Sequence, residues 1–295
     1  MSRSKKGLFL VILSSIIFGL IPGAVTICYE QGANQTVILT ARYTILSIVL
    51  LPSVLQLEKP LTVFKRHWKQ LMSLSFFCTF TAILLLSAYK YISTSSASAF
   101  HFMYPLVVVL ICALVFRDKI SALMLLCLAL CLGGAVCMLD LSAGVNVTGV
   151  ALALSSAVMW GSYIVGVDKF DFSDLPSRPM LFFIEIGNLF FLLFCYAIPT
   201  NSLSADLTLF GWGAVVFTNL VAAVGGTLFF TIGIRYTDAQ IAAIASTLEP
   251  ITSILVGIVL LGEPSTPRSL VGSAMILTAV ILLSVFNGKE DSSGQ

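Results

Sequence analysis

Charged side chains are scarce in this chain of 295 residues. Asp, Glu, Lys and Arg make up 10% of it, and there are only two histidines. Ordinary soluble domains carry about 25% charged residues. Hydrophobic residues reach 58% and the mean hydropathy is +1.02. A soluble fold of this size needs far more polar surface, so the composition excludes one and predicts an integral membrane protein.

Several signatures of catalysis and energy conversion are missing. There is no Gly-x-x-x-x-Gly-Lys-Ser/Thr phosphate loop, which argues against ATP as the direct fuel. No loop pairs a nucleophile with a base, no metal-ligand spacing occurs, and the net charge of +2 is too small for nucleic-acid binding. We therefore expect no enzyme, no cofactor and no metal. The expected partners are the lipid bilayer and a small-molecule substrate, with a homodimer left open.

The seven cysteines all lie inside apolar runs. Cys127 and Cys131 are one helical turn apart, which is compatible with a metal pair, but no further ligand sits near them. Buried free cysteine behaves as a small hydrophobic residue. The sequence therefore predicts free cysteines without a disulfide framework.

Ten apolar stretches follow one another, each close to the roughly 20 residues that a spanning helix needs. They cover residues 7–29, 33–57, 70–91, 95–116, 120–139, 147–168, 179–198, 208–234, 239–261 and 269–286. The N-terminus imitates a secretory signal, but its apolar run continues to Cys28, which favours a retained first helix. The connections are short, and they leave no room for a soluble domain.

Lysine and arginine are distributed unevenly over the loops of this layout. With the N-terminus inside, thirteen lie on the cytoplasmic side, Lys90 and Arg268 lie outside, and Arg42 lies within a span. An excess of positive charge on the cytoplasmic side is the usual pattern of membrane proteins. Losing one helix would scramble it, so the asymmetry favours ten spans with both termini in the cytoplasm.

The two halves of the sequence share a spacing. Lys90-Tyr91 precedes Pro105, with fourteen residues from tyrosine to proline, and Arg235-Tyr236 precedes Pro250 at the same distance. Offsets of 142 to 145 residues give four further pairs: Phe18-Gly19 with Trp160-Gly161, Arg42 with Glu185, Ala97 with Ala242, and Asp118 with Glu263.

These matches divide the chain into a first five-helix repeat over 1–143 and a second over 144–288, followed by a polar tail over 289–295 that is expected to be disordered. Because five is odd, the second copy enters the membrane from the opposite side. Inverted repeats of this kind build many secondary transporters, with the substrate site near the midplane. The alternative is chance similarity between apolar segments.

At this point the sequence resembles the EamA-type drug/metabolite transporter superfamily, over nearly its whole length. The clearest match runs from Arg235–Gln240 through Glu249-Pro250 to Leu260–Glu263. The first half carries a weaker version, with Tyr104-Pro105 and Phe116–Asp118. Arg42 and Trp160-Gly161 also look like the family. The resemblance implies ten helices in two repeats and metabolite export from the cytoplasmic membrane, and it leaves the substrate open.

Arg42 and Glu185 are candidate substrate-binding residues because a charge at a helix centre costs roughly 2.5–3.5 kcal/mol. In the ten-span layout, Arg42 lies about 14 Å from the outer edge and Glu185 about 9 Å from the inner edge. Two long side chains can close the remaining gap. One interpretation is an ion pair that only carries two charges into the membrane. The other is that Arg42 or Glu185 faces a cavity and binds a carboxylate or an amine.

Glu249 is the candidate proton-coupling residue, with His101 as a second. Glu249 lies close to the midplane, and Pro250 kinks the helix because it lacks a backbone N–H. Pro105 predicts the equivalent kink beside His101. The alternative for both is packing: a neutral glutamic acid bonded to freed carbonyls, and a hydrogen-bonded core histidine.

Four uncharged side chains complete the candidate substrate site. Trp160 lies well inside its span rather than in the headgroup belt, and Tyr104 precedes a kink. Asn188 and Asn219 are mid-helix amides that can bond across helices or to a substrate. Most such residues in a membrane protein serve packing, which is the competing interpretation for each.

The sequence therefore predicts an all-α membrane protein that exports small metabolites, amino acids or related organic acids and amines, by alternating access, with proton coupling as an option. A membrane-embedded enzyme acting on lipids is one rival, but its ionisable groups would cluster at an interface. A channel or sensor is the other, and the repeat argues against it.

Overall fold

A computed structural model describes residues 3–88, 90–92, 94–137, 146–204, 206–252, 255 and 267–293. All regular structure in these ranges is helical. The helices are α1 (Arg3–Glu30), α2 (Gln35–Leu55), α3 (Pro60–Ala88), α4 (Thr94–His101), α5 (Tyr104–Leu114), α6 (Ala122–Cys137), α7 (Val147–Lys169), α8 (Ser177–Leu192), α9 (Leu209–Val221), α10 (Phe229–Tyr236), α11 (Ala239–Ala245), α12 (248–252, its described part) and α13 (Pro267–Ser293).

Two helices pass through π-helical segments. α8 continues into Leu193–Ala197, and Ala222–Leu228 joins α9 to α10 without a break. Within the described ranges, and counted with these segments, six helices are long and apolar enough to cross a membrane. Shorter apolar helices cover Tyr104–Leu114, Ala122–Cys137 and Leu270–Leu282. The chain is thus an all-helical, multi-pass membrane protein, while the count of ten spans stays a prediction.

Polar side chains fix the starts of the helices. Asn34 accepts a hydrogen bond from the Val37 N–H at the start of α2, and Asn146 and Thr208 do the same for α7 and α9. Such caps satisfy amide groups that a helix start leaves unpaired. The turn between α1 and α2 uses Gly32 at a φ of +90°, where a Cβ would meet the Asp206 carbonyl oxygen at 2.9 Å.

The packing follows the repeat. In one pair, α1 packs on α10. In the repeat, α7 corresponds to α1 and α3 corresponds to α9–α10, and α7 packs on α3 in the same way. α2 packs on its own counterpart α8, and α6 packs on α13. A pseudo-twofold axis predicts this set of pairs.

Two segments singled out in the sequence need comment, the C-terminal tail and the motif after Pro250. Helix α13 runs through 289–293, for which the sequence predicts no regular structure. The motif residues 256–266, including Glu263, lie outside the described residues.

Because neighbouring helices alternate in direction, the molecule has two ends. The basic end holds 3–6, 56–69, 117–121, 169–178 and 235–240. The lysine-poor end holds 30–35, 88–92, 146–147 and 198–208. Contacts support both groupings: Asp174 meets Arg66 and His67 at the first end, and Asn34 bonds to Ser204 at the second.

Candidate functional site

A cavity of about 180 Å³ lies between the two repeats. Its lining includes the four ionisable side chains that the sequence singles out at bilayer depth: Arg42, His101, Glu185 and Glu249. Trp160 lines it as well. Five of the predicted site residues, taken from five different helices, therefore meet in one space.

Arg42 reaches this cavity from α2. Its Nη2 donates a 2.7 Å hydrogen bond to the Thr227 hydroxyl, and its guanidinium lies 5.3 Å from the ring centre of Phe18. In the described part of the chain, no ion pair within 4 Å joins Arg42 to Glu185 or to Glu249. In this arrangement the guanidinium keeps donors for a further acceptor.

Glu185 is held in place by a polar chain. The Asn188 side-chain amide donates to the Glu185 carboxylate over 3.2 Å, and the Thr79 hydroxyl reaches the Asn188 side-chain oxygen at 3.3 Å. Asn188 is fully buried and does not line the cavity. The sequence predicts Asn188 as a substrate contact, whereas the geometry gives it the role of orienting Glu185.

The kinks predicted at Pro105 and Pro250 take the form of breaks just before each proline. α4 ends at His101 and α5 starts at Tyr104, with Pro105 in its first turn. α11 ends at Ala245, and Ser246 and Thr247 form a turn before α12. The two breaks are equivalent at the repeat offset, and discontinuous helices at midplane depth are typical of transporter sites.

The first break brings His101 to the cavity, and the second brings Glu249. His101 Nδ1 shares a 2.9 Å hydrogen bond with the Ser156 hydroxyl. The two breaks are joined directly, since the Tyr104 and Ser246 hydroxyls lie 2.6 Å apart. Tyr104 is 1% exposed and is not among the lining residues, so it ties the repeats together rather than facing the cavity.

Aromatic rings form one wall. Trp160 stacks on Tyr163, with ring centres 5.0 Å apart and an angle of 10° between the ring planes. It also stacks on Phe230, with ring centres 5.6 Å apart and an angle of 8°. Phe18 meets Phe230 edge-on at 6.5 Å. Phe18 and Phe230 were missed by the sequence predictions, although Phe18 is the repeat counterpart of Trp160 and that pairing is a usable signal. The remaining candidate, Asn219, bonds to the Val215 carbonyl of its own helix and is not among the lining residues.

The cavity is closed toward the basic end. Toward the basic end from Cys78, Tyr163 and Phe230, the space is filled by one continuous apolar cluster. Its residues come from α1, α2, α3, α5, α6, α7, α8, α10, α11 and α13. Leu74 and Ile234, each one turn below a lining residue, are both 0% exposed in this cluster.

Toward the lysine-poor end the lining continues to Leu39 and Leu85, about 6 Å from the helix ends. Here the buried apolar residues form two separate clusters. One wall consists of Cys28, Ala33, Ile38 and Val215 on α1, α2 and α9. The other consists of Ala88, Ile92, Ala97 and Ala153 on α3, α4 and α7. Among the described residues, which leave out 253–254 and 256–266, no buried apolar cluster joins these two walls, and the space between them is called the mouth of the cavity below.

Polar contacts reinforce the closed basic end. Arg235 donates to the Leu175 and Phe172 carbonyls, each over 2.9 Å, and to the Ser177 hydroxyl over 3.0 Å. Burial by itself would raise the pKa of Asp174. The hydrogen bonds from His67 and Arg66 outweigh it and hold that pKa below its ordinary value. Loop 170–176 is thereby fastened to both α3 and α10.

Comparison with known proteins agrees with this architecture. The model of the EamA-like transporter family matches residues 5–140 and again 147–285. An uncharacterized transporter of Archaeoglobus fulgidus is 26% identical over 199 residues, which cover 65% of this chain and 68% of that protein. The uncharacterized transporter YwfM of Bacillus subtilis is 26% identical over 152 residues, half of this chain and 49% of that one.

A solved crystal structure shares the fold. Its TM-score is 0.76, over 95% of this chain and 96% of its own, at 19% sequence identity. The likeness therefore extends over both repeats.

Proposed function

The chain belongs to the EamA-like transporter family, and from that premise we propose that it is a secondary transporter of ten spans which exports small zwitterionic metabolites, such as amino acids, by alternating access. Both termini lie in the cytoplasm, so that the basic end faces inward. The observation that supports the proposal is the cavity itself, which is lined by residues of both repeats and is closed toward the basic end by buried apolar residues.

The charges of the cavity suit a zwitterion. Arg42 offers a guanidinium with unused donors, which binds a carboxylate well. Glu185 and Glu249 offer acceptors for an ammonium group. The ring stack of Trp160 gives an apolar surface for the rest of the molecule. The size of the cavity limits the cargo to a small metabolite.

We propose that Glu249 also carries the coupling proton. It is an ionisable group in the cavity without an ion pair among the described residues, beside a broken helix. Protonation there can alternate with binding of a substrate ammonium, which makes exchange of the two obligatory. Glu185 differs because it is already held by Asn188.

The test is uptake and counterflow of radiolabelled amino acids in proteoliposomes, with and without an imposed pH gradient. The parent should respond to the gradient and should show counterflow, which a channel cannot show. Glu249→Gln should retain counterflow but lose the response to the gradient. Glu30→Gln, an exposed carboxylate at the lysine-poor end, is the control. A parent that is indifferent to pH, with Glu249→Gln behaving identically, removes the proton proposal.

Removal of Arg42 tests the carboxylate site. A hydrogen bond to a charged group contributes about 1.5–3 kcal/mol, so Arg42→Ala should weaken transport at least about tenfold. Arg178→Ala, which removes an exposed arginine at the basic end, should change transport less than about twofold, because exposed charges contribute little. Equal effects of the two variants contradict the site.

A further inference from the structure

The two repeats differ in one basic residue at equivalent positions. Arg235 stands at the end of α10, and its counterpart Lys90, 145 residues earlier, stands just beyond the end of α3. Arg235 makes three hydrogen bonds to loop 170–176 and the start of α8. Lys90 is exposed, and it makes no side-chain hydrogen bond or ion pair with the part of the chain that the structure describes. One end is fastened and the equivalent position at the other end is not.

Lys90 lies on one wall of the cavity mouth. Its neighbours in sequence, Ala88 and Ile92, are buried members of the wall formed by α3, α4 and α7. The loop 31–34, the counterpart of loop 170–176, lies on the other wall, where Ala33 is buried. The acceptor loop and the donor thus stand on opposite sides of the mouth.

Inverted repeats give a rule for the second state of a transporter, because each repeat can adopt the conformation that the other has now. Exchanging the two conformations opens the basic end and closes the lysine-poor end. Under that exchange the contacts of Arg235 with Leu175 and Ser177 pass to Lys90 with Ala33 and Gln35.

We propose that Lys90 is the residue that closes the mouth at the lysine-poor end, by donating its ammonium hydrogen bonds to the α1–α2 loop in the opposite state. The inference rests on the alternating access of the proposed function and adds a positioning residue to it. The difference in residue type also gives the two states unequal weight. A guanidinium presents a fixed fork of donors, whereas an ammonium is a mobile and strongly hydrated point charge. The closure by Arg235 is the firmer one, which agrees with the conformation observed.

A native reporter makes the proposal measurable. Cys78 lines the cavity, so a membrane-impermeant thiol reagent added at the lysine-poor face labels it only while that mouth is open. Peptide mass spectrometry separates this label from labels on the other cysteines. Arg235→Ala should lower the labelling rate at least about fivefold, because loss of the charged hydrogen bonds favours the opposite state.

The deciding variant is Lys90→Ala in the Arg235→Ala background. It should restore most of the labelling rate, because the closed mouth has then lost its own fastening. Lys90→Arg in that background should keep the rate low. Lys65→Ala, which removes an exposed lysine from the other end of α3, is the matched control and should change nothing. Equal rates for Lys90→Ala and Lys65→Ala overturn the proposal.

A second measurement covers the case that Arg235→Ala does not fold. Lys90→Cys combined with Ala33→Cys should form a disulfide under oxidation during turnover and should then protect Cys78 from the reagent. Lys65→Cys with Ala33→Cys is the control pair, since its members lie at opposite ends. Absence of the Lys90→Cys and Ala33→Cys bond in actively exchanging protein overturns the closure. Labelling that responds as expected without exchange of any amino acid supports it, and rejects the substrate class instead.

Discussion

The basic end and the lysine-poor end of this molecule are built by different physical means. The basic end holds the large apolar cluster and, on α2 and α8, part of a smaller one that includes Leu50 and Leu181, and arginine and aspartate contacts join helices there that are far apart in sequence. The lysine-poor end has two small clusters among the described residues, with loop-to-loop hydrogen bonds inside one wall, such as Asn34 with Ser204 at 2.8 Å.

The two repeats are similar in sequence, yet the buried residues at their equivalent ends pack differently. A molecule whose two repeats had identical conformations would be equally open, or equally closed, at both ends. Here, among the described residues, a large buried cluster fills the basic end and two separate small clusters stand at the lysine-poor end, an asymmetry compatible with alternating access.

The largest expected effect comes from wedging the basic end apart at Gly7. A Cβ there would meet the Thr237 nitrogen and the Tyr236 carbonyl carbon at 2.8 Å, so α1 has to move away from α10. Gly7→Ala should cost about 1–3 kcal/mol of unfolding free energy and should lower Cys78 labelling from the lysine-poor face. Gly213→Ala, where nothing lies within 4 Å, is the control in thermal unfolding. Equal midpoints for the two variants contradict a tight basic end.

Asn34 tests the cohesion of one wall at the lysine-poor end. Its side-chain oxygen caps α2, and its amide nitrogen donates to the Ser204 carbonyl over 2.8 Å. Asn34→Ala should lower stability by about 1–2 kcal/mol, since both bonds are lost. Asn34→Asp keeps the cap and loses only the bond to Ser204, so its unfolding midpoint should lie between those of the parent and the alanine variant. The order of the three midpoints checks the assignment.

Tyr104 tests the level between the two ends. Tyr104→Phe removes the 2.6 Å contact with Ser246 that joins the two helix breaks. We expect a loss of about 1 kcal/mol, because Ser246 retains its bond to the Ala243 carbonyl. Tyr91→Phe, an exposed tyrosine at the lysine-poor end, is the control. If both substitutions leave the unfolding midpoint unchanged, the bridge between the breaks contributes nothing.

The smallest effect concerns Asp174 and pH. Its folded-state pKa lies below the ordinary value because of the bonds from His67 and Arg66, which outweigh burial. The stabilisation is therefore complete above the unfolded pKa of about 3.9 and is lost as the pH falls through the folded value. The midpoint difference between the parent and Asp174→Asn should be present at pH 7 and should shrink toward pH 3. Asp206→Asn, at the lysine-poor end, controls for the loss of one carboxylate.

Much of the architecture follows from sequence because a bilayer permits few folds. Membrane-spanning helices are recognisable from the length and composition of their apolar stretches. The shared proline spacing predicted the position of both helix breaks to within three residues. The family of the chain is confirmed, and its two matched ranges lie within the two halves that the repeat defines. The count of ten spans and the placement of both termini remain predictions.

The sequence predicts the ionisable residues of the site correctly, but it does not show which uncharged residues line the cavity. Arg42, Glu185, His101 and Glu249 stand out because a charge in lipid needs a reason. Tyr104, Asn188 and Asn219 stand out equally, yet they bond to other groups of the protein. Sequence cannot separate these cases, because a helix a few tens of degrees from its expected rotation turns a lining residue into a packing one. Thr227, the partner of Arg42, carries no signal at all.

The π-helical segment Ala222–Leu228 has a mechanical consequence. The π-helical turns divide one long apolar helix into α9 and α10. Because a π turn contains more residues than an α turn, the side-chain faces of the two parts are rotated relative to each other. Thr227, which holds Arg42, sits inside that segment. A rotation of α10 relative to α9 within this segment would therefore displace Thr227 and, through their 2.7 Å hydrogen bond, the Arg42 guanidinium that lines the cavity.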